Sequence, residues 1–573
     1  MTAVQDQRQE QGSAAEPPGA AGTGNLDALL TDSTGSMLRQ FLPARAGLTF
    51  AAKLAARPAT VTRRSLGLTR ELGRVAVGRS ELAPAKRDRR FADPAWSGNP
   101  LLRRVVQAYL AAGGTVDQLL DDANLDWRND GRLRFAAENL VAALAPSNNP
   151  VLNPGALKAA IDTGGKNYLD GGRQFVKDMR SKPRIPQMVD PDAFTVGVDV
   201  AVTEGQVVLR TPVIELMQYT PRAAQVHGVP LLVVPPMINK YYIADLAPGR
   251  SMIEHFLDAG LQVFAISWVN PTEEQRDLGL DDYAGSVLRA MDAVENITGA
   301  DKTLLFALCA GGIVTSTTVS HLVATGRQDR VAGLTLGVTV LDQRQNGTLG
   351  SLIDAPTAAA AVAKSQSRGY LDGRSLASVF AWLRPDDLVW NYWVNNYLLG
   401  KKPPAFDVLF WNADTTRMPA GLHRDFLRMS IDNALVQPGK AVVLGTPVDL
   451  SKVEVDTYNL AGIADHICPW QNVYRSGRLF GSHPRFVLSS SGHIAALVNP
   501  PSNKKATYQV AEELPEDPDQ WLATATTRQG SWWTDWTAWA TARAGELVDP
   551  PSELGSSAYP TLGPAPGTYV FAS

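Results

Sequence analysis

One short segment of the chain has the residue pattern of a turn that presents a nucleophile. An apolar run, Leu304–Leu308, precedes Cys309, an alanine and two glycines, and a helix is predicted to open near Thr315. Small neighbours let a chain turn sharply from strand to helix, which lifts the nucleophile out of the sheet and frees the next backbone N–H for an oxyanion. Ala307 stands where the G-x-S-x-G form of this turn has its first glycine. Taken alone, the segment fits equally a buried structural cysteine before a packed helix.

Two later segments each place a group capable of proton transfer just after a predicted strand. Asp465 follows the predicted strand Val453–Tyr458, and His493 follows the predicted strand Phe486–Leu488. Singly, the aspartate could cap a turn and the histidine could be an ordinary loop residue. Nucleophile, acid and histidine in this chain order, each after its own strand, match the triad order of the α/β-hydrolase fold. The three segments together therefore predict a catalytic triad that begins with Cys309.

A cysteine nucleophile needs a base, because the thiolate is the reactive form and a free cysteine has a pKa near 8.5. His493 is the predicted base. Asp465 has two possible roles: it could orient the imidazole and stabilise its charged form, or it could take a proton from a substrate hydroxyl if it faces the pocket. The residues leave both roles open.

The same chemistry needs two backbone N–H groups for an oxyanion. The amide of Ala310, directly after the predicted nucleophile, is the first. The second is expected from the loop Val233–Lys240, where a Pro-Pro pair donates nothing and the amide must come from Met237, Ile238 or Asn239. Of these three, Ile238 is the predicted donor.

The elements that must position these groups lie after Pro183, where short β-rich runs alternate with helical stretches. The predicted strands are Val198–Val202, Val207–Leu209, Leu231–Val234, Val263–Ile266, Leu304–Leu308, Leu334–Val340, Val453–Tyr458 and Phe486–Leu488. This alternation is typical of a mostly parallel sheet covered by helices. The fold class is therefore α/β: an α/β-hydrolase fold with an inserted cap, preceded by a mostly helical N-terminal domain.

The predicted domain boundaries follow from shifts in composition. Residues 1–24 contain almost no large apolar side chains and predict a disordered tail. Apolar residues at helical spacing predict a helical N-terminal domain over residues 25–182. Residues 183–573 form the predicted catalytic domain, and within it the segment of about 342–445, rich in Trp and Tyr and without strand rhythm, predicts a cap over the ligand edge of the sheet.

Composition excludes several classes of protein. The 573 residues are 45% hydrophobic and 19% charged, with 54 basic against 57 acidic groups, so nucleic-acid binding is not expected. No apolar run is long enough for a transmembrane segment and the first residues lack a signal peptide, so a cytoplasmic protein is expected. The two cysteines, Cys309 and Cys468, exclude a disulfide scaffold and an all-thiolate metal site. The histidines lack metal-ligand spacing, so no metal is predicted.

From about Pro84 to its C-terminus, the chain resembles the polyhydroxyalkanoate synthases. The similarity is carried by the active-site segments Leu308–Gly312, Ala461–Trp470, Ser491–Ile494 and Asn499–Pro501, and by the cap segments Asn391–Gly400, Pro404–Asp407, Phe410–Asn412 and Asp414–Thr416. Asp88–Pro94 and the ending Gly567–Tyr569 are similar to the long, single-subunit type of synthase, class I or II.

The resemblance implies transfer of an (R)-3-hydroxyacyl group from coenzyme A to the Cys309 thiol, followed by attack of a hydroxyl-ended chain that lengthens a polyester. Coenzyme A leaves as a product, so no cofactor is predicted. By this resemblance His493 is the general base, and Asp465 is favoured as the activator of the 3-hydroxyl. The implied partners are the hydroxyacyl-CoA, the growing polyester, the surface of a polymer granule in the cytoplasm, and a second copy of the chain in a homodimer.

The resemblance also implies that His466, Trp411 and Arg384 bind substrate, and Asn239, in the loop after the strand Leu231–Val234, is the fourth predicted substrate-binding residue. The guanidinium of Arg384 could meet the phosphates of CoA, with a structural ion pair inside the cap as the alternative. Two other functions stay open at this point. An esterase or thioesterase of the same fold would use the same triad with water as acceptor, and a non-catalytic granule-surface protein would use only exposed apolar faces. Acyl chain length is not determined.

Overall fold

The structure of the chain is a computed structural model that describes residues 44–86, 88–181 and 183–573. The predicted tail, residues 1–24, lies outside the described residues. The helices are α1 Ala44–Ala55, α2 Pro58–Ala76, α3 Ala95–Gly98, α4 Pro100–Ala123, α5 Trp127–Ala143, α6 Pro154–Thr163, α7 Lys166–Arg180, α8 Met252–Asp258, α9 Leu280–Thr298, α10 Ala310–Ala324, α11 Gly347–Leu352, α12 Ala355–Arg368, α13 Gly373–Trp382, α14 Asp407–Ala413, α15 Ala420–Asp432, α16 Trp470–Gly477, α17 His493–Leu497, α18 Pro518–Thr524 and α19 Trp532–Thr541.

The strands are β1 Gly205–Arg210, β2 Ile214–Tyr219, β3 Val226–His227, β4 Leu231–Val234, β5 Val263–Trp268, β6 Thr303–Leu308, β7 Val331–Gly337, β8 Tyr370–Leu371, β9 Met418–Pro419, β10 Val442–Val443, β11 Thr446–Pro447, β12 Thr457–Gly462, β13 Arg485–Ser489, β14 Thr507–Val510, β15 Thr526–Gln529, β16 Leu547–Val548 and β17 Gly563–Pro564. Eleven of them form one sheet in the order β15-β14-β13-β12-β7-β6-β4-β5-β2-β1-β17. The short strands β3, β8, β9, β10, β11 and β16 form three separate pairs.

The centre of the large sheet is parallel, from β5 through β4, β6, β7 and β12 to β13. Strands β4, β5 and β6 are buried along their whole length. Such continuous apolar runs form parallel strands that helices cover on both faces. Because parallel strands end at the same edge, the segments after β6, β12 and β13 meet there. The α/β fold predicted from the sequence is confirmed.

Several predicted strands differ from the observed ones. Val198–Val202 is not a strand; only an isolated bridge joins Val196 and Val200 there. The predicted strand Val453–Tyr458 begins later, at Thr457, because Val453 and Val455 pack into the core from a loop without a strand partner. The antiparallel strands β2, β14 and β15 were not predicted. Strand β15 is exposed throughout, so its sequence has no hydrophobic pattern from which a strand could be predicted.

Between β7 and β12 the chain forms helices α11 to α15 and two π-helical turns, at residues 386–390 and 393–398. The N-terminal helices pack on this insertion. Arg132 of α5 forms an ion pair of 2.7 Å with Asp354, and the Tyr397 hydroxyl donates to Asp178 of α7 at 2.8 Å. The domain boundaries predicted above stay predictions. Within the described part of the chain, no helix combines the length and the apolar character needed to span a bilayer.

Candidate active site

Cys309 occupies a strained turn between β6 and α10. Its backbone has φ 49° and ψ −119°, which is rare for a residue with a side chain. The turn is held from the neighbouring strand, because the Cys309 N–H donates to the Gly337 carbonyl at 2.8 Å and Thr339 Oγ1 donates to the Cys309 carbonyl at 3.2 Å. Helix α10 begins at Ala310, directly after the cysteine, and not near Thr315 as predicted.

Gly311 and Gly312 must be glycine for steric reasons, whereas Ala307 need not be. A Cβ on Gly311 would lie 2.5 Å from the Pro235 carbonyl oxygen, and a Cβ on Gly312 would lie 2.1 Å from Thr339 Oγ1. Both glycines are therefore required by close backbone and side-chain neighbours. Ala307 lies inside strand β6, fully buried, with no positive φ. The turn consequently forms with alanine at the position where the sequence pattern has glycine.

His493 and Asp465 are joined directly. His493 Nδ1 lies 2.7 Å from Asp465 Oδ2, and the aspartate side chain is completely buried. The other carboxylate oxygen, Oδ1, accepts the backbone N–H groups of Ile467 and Cys468, each at 2.9 Å. Since Nδ1 is bound to the carboxylate, Nε2 is the ring nitrogen that remains for Cys309. The structure therefore brings the three predicted triad residues together in the order cysteine, imidazole, carboxylate.

The electrostatics of the group favour a thiolate and an imidazolium. A hydrogen bond from the Cys468 thiol and the nearby His493 hold the pKa of Cys309 well below its usual range, against the opposing effect of burial. Burial lowers the pKa of His493, but the charge and hydrogen bond of Asp465, with the Cys309 sulfur, outweigh it and raise that pKa to about 10. An imidazolium beside a thiolate is the arrangement that activates catalytic cysteines.

Cys468 is the residue near the site that the sequence analysis missed. Its sulfur, the sulfur of Cys309 and a ring nitrogen of His493 all lie within 4.8 Å of one another. The hydrogen bond to Cys309, together with burial and the charge of the Cys309 thiolate, raises the pKa of Cys468 well above its usual range. The only available signal was its position three residues after Asp465, in a loop that must wrap around the carboxylate.

Two cavities border Cys309. One, of about 270 Å³, is walled mainly by aliphatic and aromatic side chains of the insertion and of α10, among them Ile313, Leu349 and Phe426. The other, of about 380 Å³, also contacts His493. Ile238, Phe380 and Ile467 line both cavities, as Cys309 does, so the two spaces adjoin one another.

All four predicted substrate-binding residues, Asn239, Arg384, Trp411 and His466, line the 380 Å³ cavity. Trp411 is buried and its Nε1 donates to the Lys240 carbonyl at 2.7 Å. Asn239 Nδ2 lies 3.4 Å from the carbonyl oxygen of Trp411.

Two of these residues have unusual electrostatic surroundings. Both ring nitrogens of His466 are buried without a hydrogen-bond partner among the described residues. Burial first, and then Arg384, lower the pKa of His466 to about 4, so its ring is neutral. Arg384 forms an ion pair with Asp387, and its side chain is 41% exposed. Arg384 thus forms the ion pair that was predicted as its structural role, and it also lines the cavity, where it could meet the phosphates of CoA.

Of the two predicted oxyanion donors, Ile238 borders both cavities, whereas Ala310 borders only the 270 Å³ cavity. The Ala310 N–H lies close enough to the Cys309 sulfur to help lower the pKa of the thiol. The Ile238 carbonyl accepts the Thr416 N–H at 3.1 Å, so the loop after β4 is tied to the insertion. Asp465, by contrast, borders neither of the two cavities.

The fold and this constellation define an α/β-hydrolase-fold protein, and residues 227–500 match the family model described as "alpha/beta hydrolase fold". Residues 87–256 match the model described as "Poly-beta-hydroxybutyrate polymerase (PhaC) N-terminus". The chain is 46% identical to poly(3-hydroxyalkanoate) polymerase 1 of Ectopseudomonas oleovorans over 87% of its own length and 89% of the relative's. It is 46% identical to polymerase 2 of the same organism, over 88% and 90%.

A third relative is the poly(3-hydroxyalkanoate) polymerase subunit PhaC of Cupriavidus necator, 40% identical over 87% of this chain and 85% of that one. The chain belongs to the poly(3-hydroxyalkanoate) polymerase family, and it is an acyltransferase. The resemblance found from the sequence is thereby confirmed.

Proposed function

We propose that the chain builds polyester from (R)-3-hydroxyacyl-CoA through a covalent intermediate on Cys309. The observation that carries this proposal is the strained turn at Cys309, whose sulfur lies beside His493 and opens on two cavities at once. Two adjoining spaces at one nucleophile suit a reaction in which one partner delivers an acyl group and another accepts it.

In the first step the Cys309 thiolate attacks the thioester carbonyl carbon. The amides of Ala310 and Ile238 stabilise the oxyanion, the carbon–sulfur bond to CoA breaks, and His493 gives its proton to the leaving thiolate. In the second step a hydroxyl attacks the acyl-cysteine, and His493, now neutral, takes the hydroxyl proton. An ester forms and the Cys309 sulfur leaves as the thiolate, so atoms and charge balance over the cycle.

We assign Asp465 to the orientation of His493, the first of its two possible roles. Its Oδ2 holds the imidazole, its Oδ1 is occupied by two backbone N–H groups, and its side chain is fully buried. To take a proton from a 3-hydroxyl directly, the carboxylate would have to give up these bonds and turn toward the cavity. His493 is left as the base for the hydroxyl.

The 380 Å³ cavity is assigned to the CoA side of the substrate. Arg384 is partly exposed at this cavity and presents a fixed positive charge for a phosphate. His466 offers a neutral ring without partners as a hydrogen-bonding group near the thioester. Arg384→Ala should raise KM for the CoA thioester while leaving the rate on a CoA-free thioester nearly unchanged, and Asp387→Ala is the matched control for loss of the ion pair alone.

The 270 Å³ cavity is assigned to the hydrocarbon part of the acyl group, because its walls are mainly aliphatic and aromatic. Filling it should shorten the acyl groups that the enzyme accepts. Leu376 lines this cavity and does not line the other. Leu376→Trp should therefore reduce the content of long side chains in polymer made from mixed hydroxyacyl-CoA substrates, as measured by mass analysis of the monomers.

We further propose that the N-terminal helices contact the polymer granule, and that the chain acts as a homodimer as the resemblance implies. Of 23 exposed large apolar side chains among the described residues, 15 lie in residues 44–181. Exposed apolar area at this density favours binding to an apolar surface. Leu101 at 66%, Val151 at 69% and Ile161 at 82% exposure are examples.

The central experiment follows (R)-3-hydroxyacyl-CoA, free CoA, polymer and free hydroxy acid together. We expect CoA and polymer to accumulate in step, with little free acid, and Cys309 to be recovered as an acyl-enzyme after rapid quenching. Accumulation of free acid in place of polymer would favour a thioesterase, and turnover without a Cys309 adduct would contradict the covalent route.

A further inference from the structure

Three groups that bind soft metal ions converge at the site. The sulfurs of Cys309 and Cys468 and a ring nitrogen of His493 all lie within 4.8 Å of one another. They come from three segments far apart in the chain: the turn after β6, the loop after β12 and the start of α17. No metal motif is visible in the sequence for this reason.

We propose that these three residues form a binding site for a thiophilic divalent cation such as Zn²⁺, which occupies the nucleophile and inhibits the enzyme reversibly. The cation is a regulatory ligand and has no part in the transfer reaction. The inhibition by the cation rests on the proposed role of Cys309 as the nucleophile, whereas the binding of the cation does not depend on that role.

The histidine is already arranged as a metal ligand. Its Nδ1 is held by Asp465 at 2.7 Å, which leaves Nε2 directed toward the two sulfurs. Metal-binding histidines commonly donate their second ring N–H to a carboxylate, which fixes the ring and strengthens the ligand. The carboxylate is itself held by the N–H groups of Ile467 and Cys468. The hydrogen bonds that orient the histidine ligand of a metal site are therefore present.

The distances suit a tetrahedral ion after a small adjustment. With zinc–sulfur bonds of about 2.3 Å and zinc–nitrogen bonds of about 2.0 Å, tetrahedral ligand atoms lie roughly 3.5–3.8 Å apart. The separations of up to 4.8 Å need to shorten by at most about 1.0–1.3 Å. Three protein ligands leave a fourth position open toward the cavities, through which a cation can enter.

The chemistry of the ligands selects the ion. Thiolate and imidazole favour zinc, cadmium and related soft ions, whereas magnesium and calcium prefer oxygen ligands. Binding displaces two protons, either both from the thiols or one from Cys468 and one from the His493 imidazolium. Coordination draws charge from the Cys309 sulfur and removes His493 from proton transfer, so acylation stops until the metal leaves.

The test measures binding and inhibition separately, on the full chain. Cd²⁺ titration should give a thiolate-to-metal charge-transfer band with a stoichiometry of one ion per chain, and Zn²⁺ should inhibit CoA release until a chelator is added. In Cys468→Ala and Cys468→Ser the band should fall by about half and the concentration of Zn²⁺ for half-inhibition should rise at least tenfold, with each variant normalised to its own metal-free rate. Mg²⁺ at the same concentrations should neither inhibit nor give a band.

Equal Zn²⁺ sensitivity and equal bands in the wild type and in folded Cys468 variants would overturn the proposal, since the ion would then need only Cys309 and His493. The serine variant preserves side-chain volume, and thermal unfolding of each variant reports whether it is folded.

If Cys309→Ala kept CoA release, the proposed nucleophile would be wrong. The metal site would still stand if Cd²⁺ binding required both cysteines. Protection of the Cys309 thiol from iodoacetamide by Zn²⁺, weakened in the Cys468 variants, is a third readout without turnover.

Discussion

The edge of the sheet that carries Cys309 and the N-terminal helices use apolar residues in opposite ways. Around the turn, β4 and β6 are buried along their whole length, and a single added carbon on Gly311 would meet the Pro235 carbonyl. Residues 44–181 instead leave 15 large apolar side chains exposed. The first region holds individual reacting atoms in place, whereas the second exposes apolar surface area. Single substitutions should therefore act strongly in the first region and weakly in the second.

The largest contrast is expected within the site itself. Cys309→Ala should lower CoA release by at least about 10⁴-fold, because the nucleophile of a triad has no substitute. Cys468→Ala should keep most of the rate, since it removes one hydrogen bond to the Cys309 sulfur but leaves the strained turn and the His493 base in place. Cys309→Ser should also fail, because a hydroxyl is a far weaker acid than a thiol. Comparable losses in the two alanine variants would contradict the assignment of the turn.

Replacement of Asp465 by Asn should slow the enzyme by roughly 10²–10⁴-fold, since the imidazole loses its orienting and stabilising partner. If the carboxylate only orients His493, rapid quenching with labelled hydroxyacyl-CoA should show acylation and elongation slowed to similar extents. One normal acylation followed by a stall would instead support direct activation of the 3-hydroxyl and reverse our assignment.

Gly311→Ala should reduce CoA release by about 10²-fold or more, because the new Cβ would lie 2.5 Å from the Pro235 carbonyl oxygen and must displace the turn. Ala307→Gly is the matched control, with nearly full activity expected and a loss of stability of about 1 kcal/mol. Similar activities for the two variants would mean that the turn tolerates more movement than the geometry allows.

Alkylation of Cys309 by iodoacetamide should depend little on pH between 6 and 8. The pKa of Cys309 is held below its usual range and that of His493 is raised to about 10, so the thiolate persists as the pH falls. A free thiol with a pKa near 8.5 loses nearly tenfold in reactivity per pH unit over this range. His493→Ala should make the dependence steeper, with the Cys468 hydrogen bond still lowering the pKa of Cys309, and a steep profile in the unmodified enzyme would argue against the ion pair.

The smallest effects on chemistry should come from the N-terminal helices. The combined change Leu101→Gln, Val151→Gln and Ile161→Gln should alter CoA release on added substrate less than about twofold, while retention on isolated polymer granules falls severalfold. Leu547→Gln, at a side chain 53% exposed outside this region, is the control and should leave granule binding unchanged. Equal retention of both proteins would contradict the granule contact. Deletion of the whole region is less informative, because it would also remove contacts to the insertion such as Tyr397 with Asp178.

The sequence by itself determined the chain order and the strand-end positions of Cys309, Asp465 and His493, and with them the fold class. This was possible because parallel strands bring their carboxyl ends to one edge, so local patterns translate directly into a common place. Boundaries that depend on pairing could not be read in the same way. Val453 and Val455 look like strand residues, yet they pack into the core from a loop, and the exposed strand β15 exists only through its pairing with β14.

Only the tertiary structure decided what surrounds the nucleophile. The sequence separates Cys468 widely from Cys309, and only the path of the loop around Asp465 brings the two sulfurs together. The burial of that carboxylate, and the division of the space around Cys309 into two cavities, depend on contacts among segments that no local pattern relates. Residue type and chain order determine which groups can react, whereas long-range packing determines which of them share a surface, a proton or an ion.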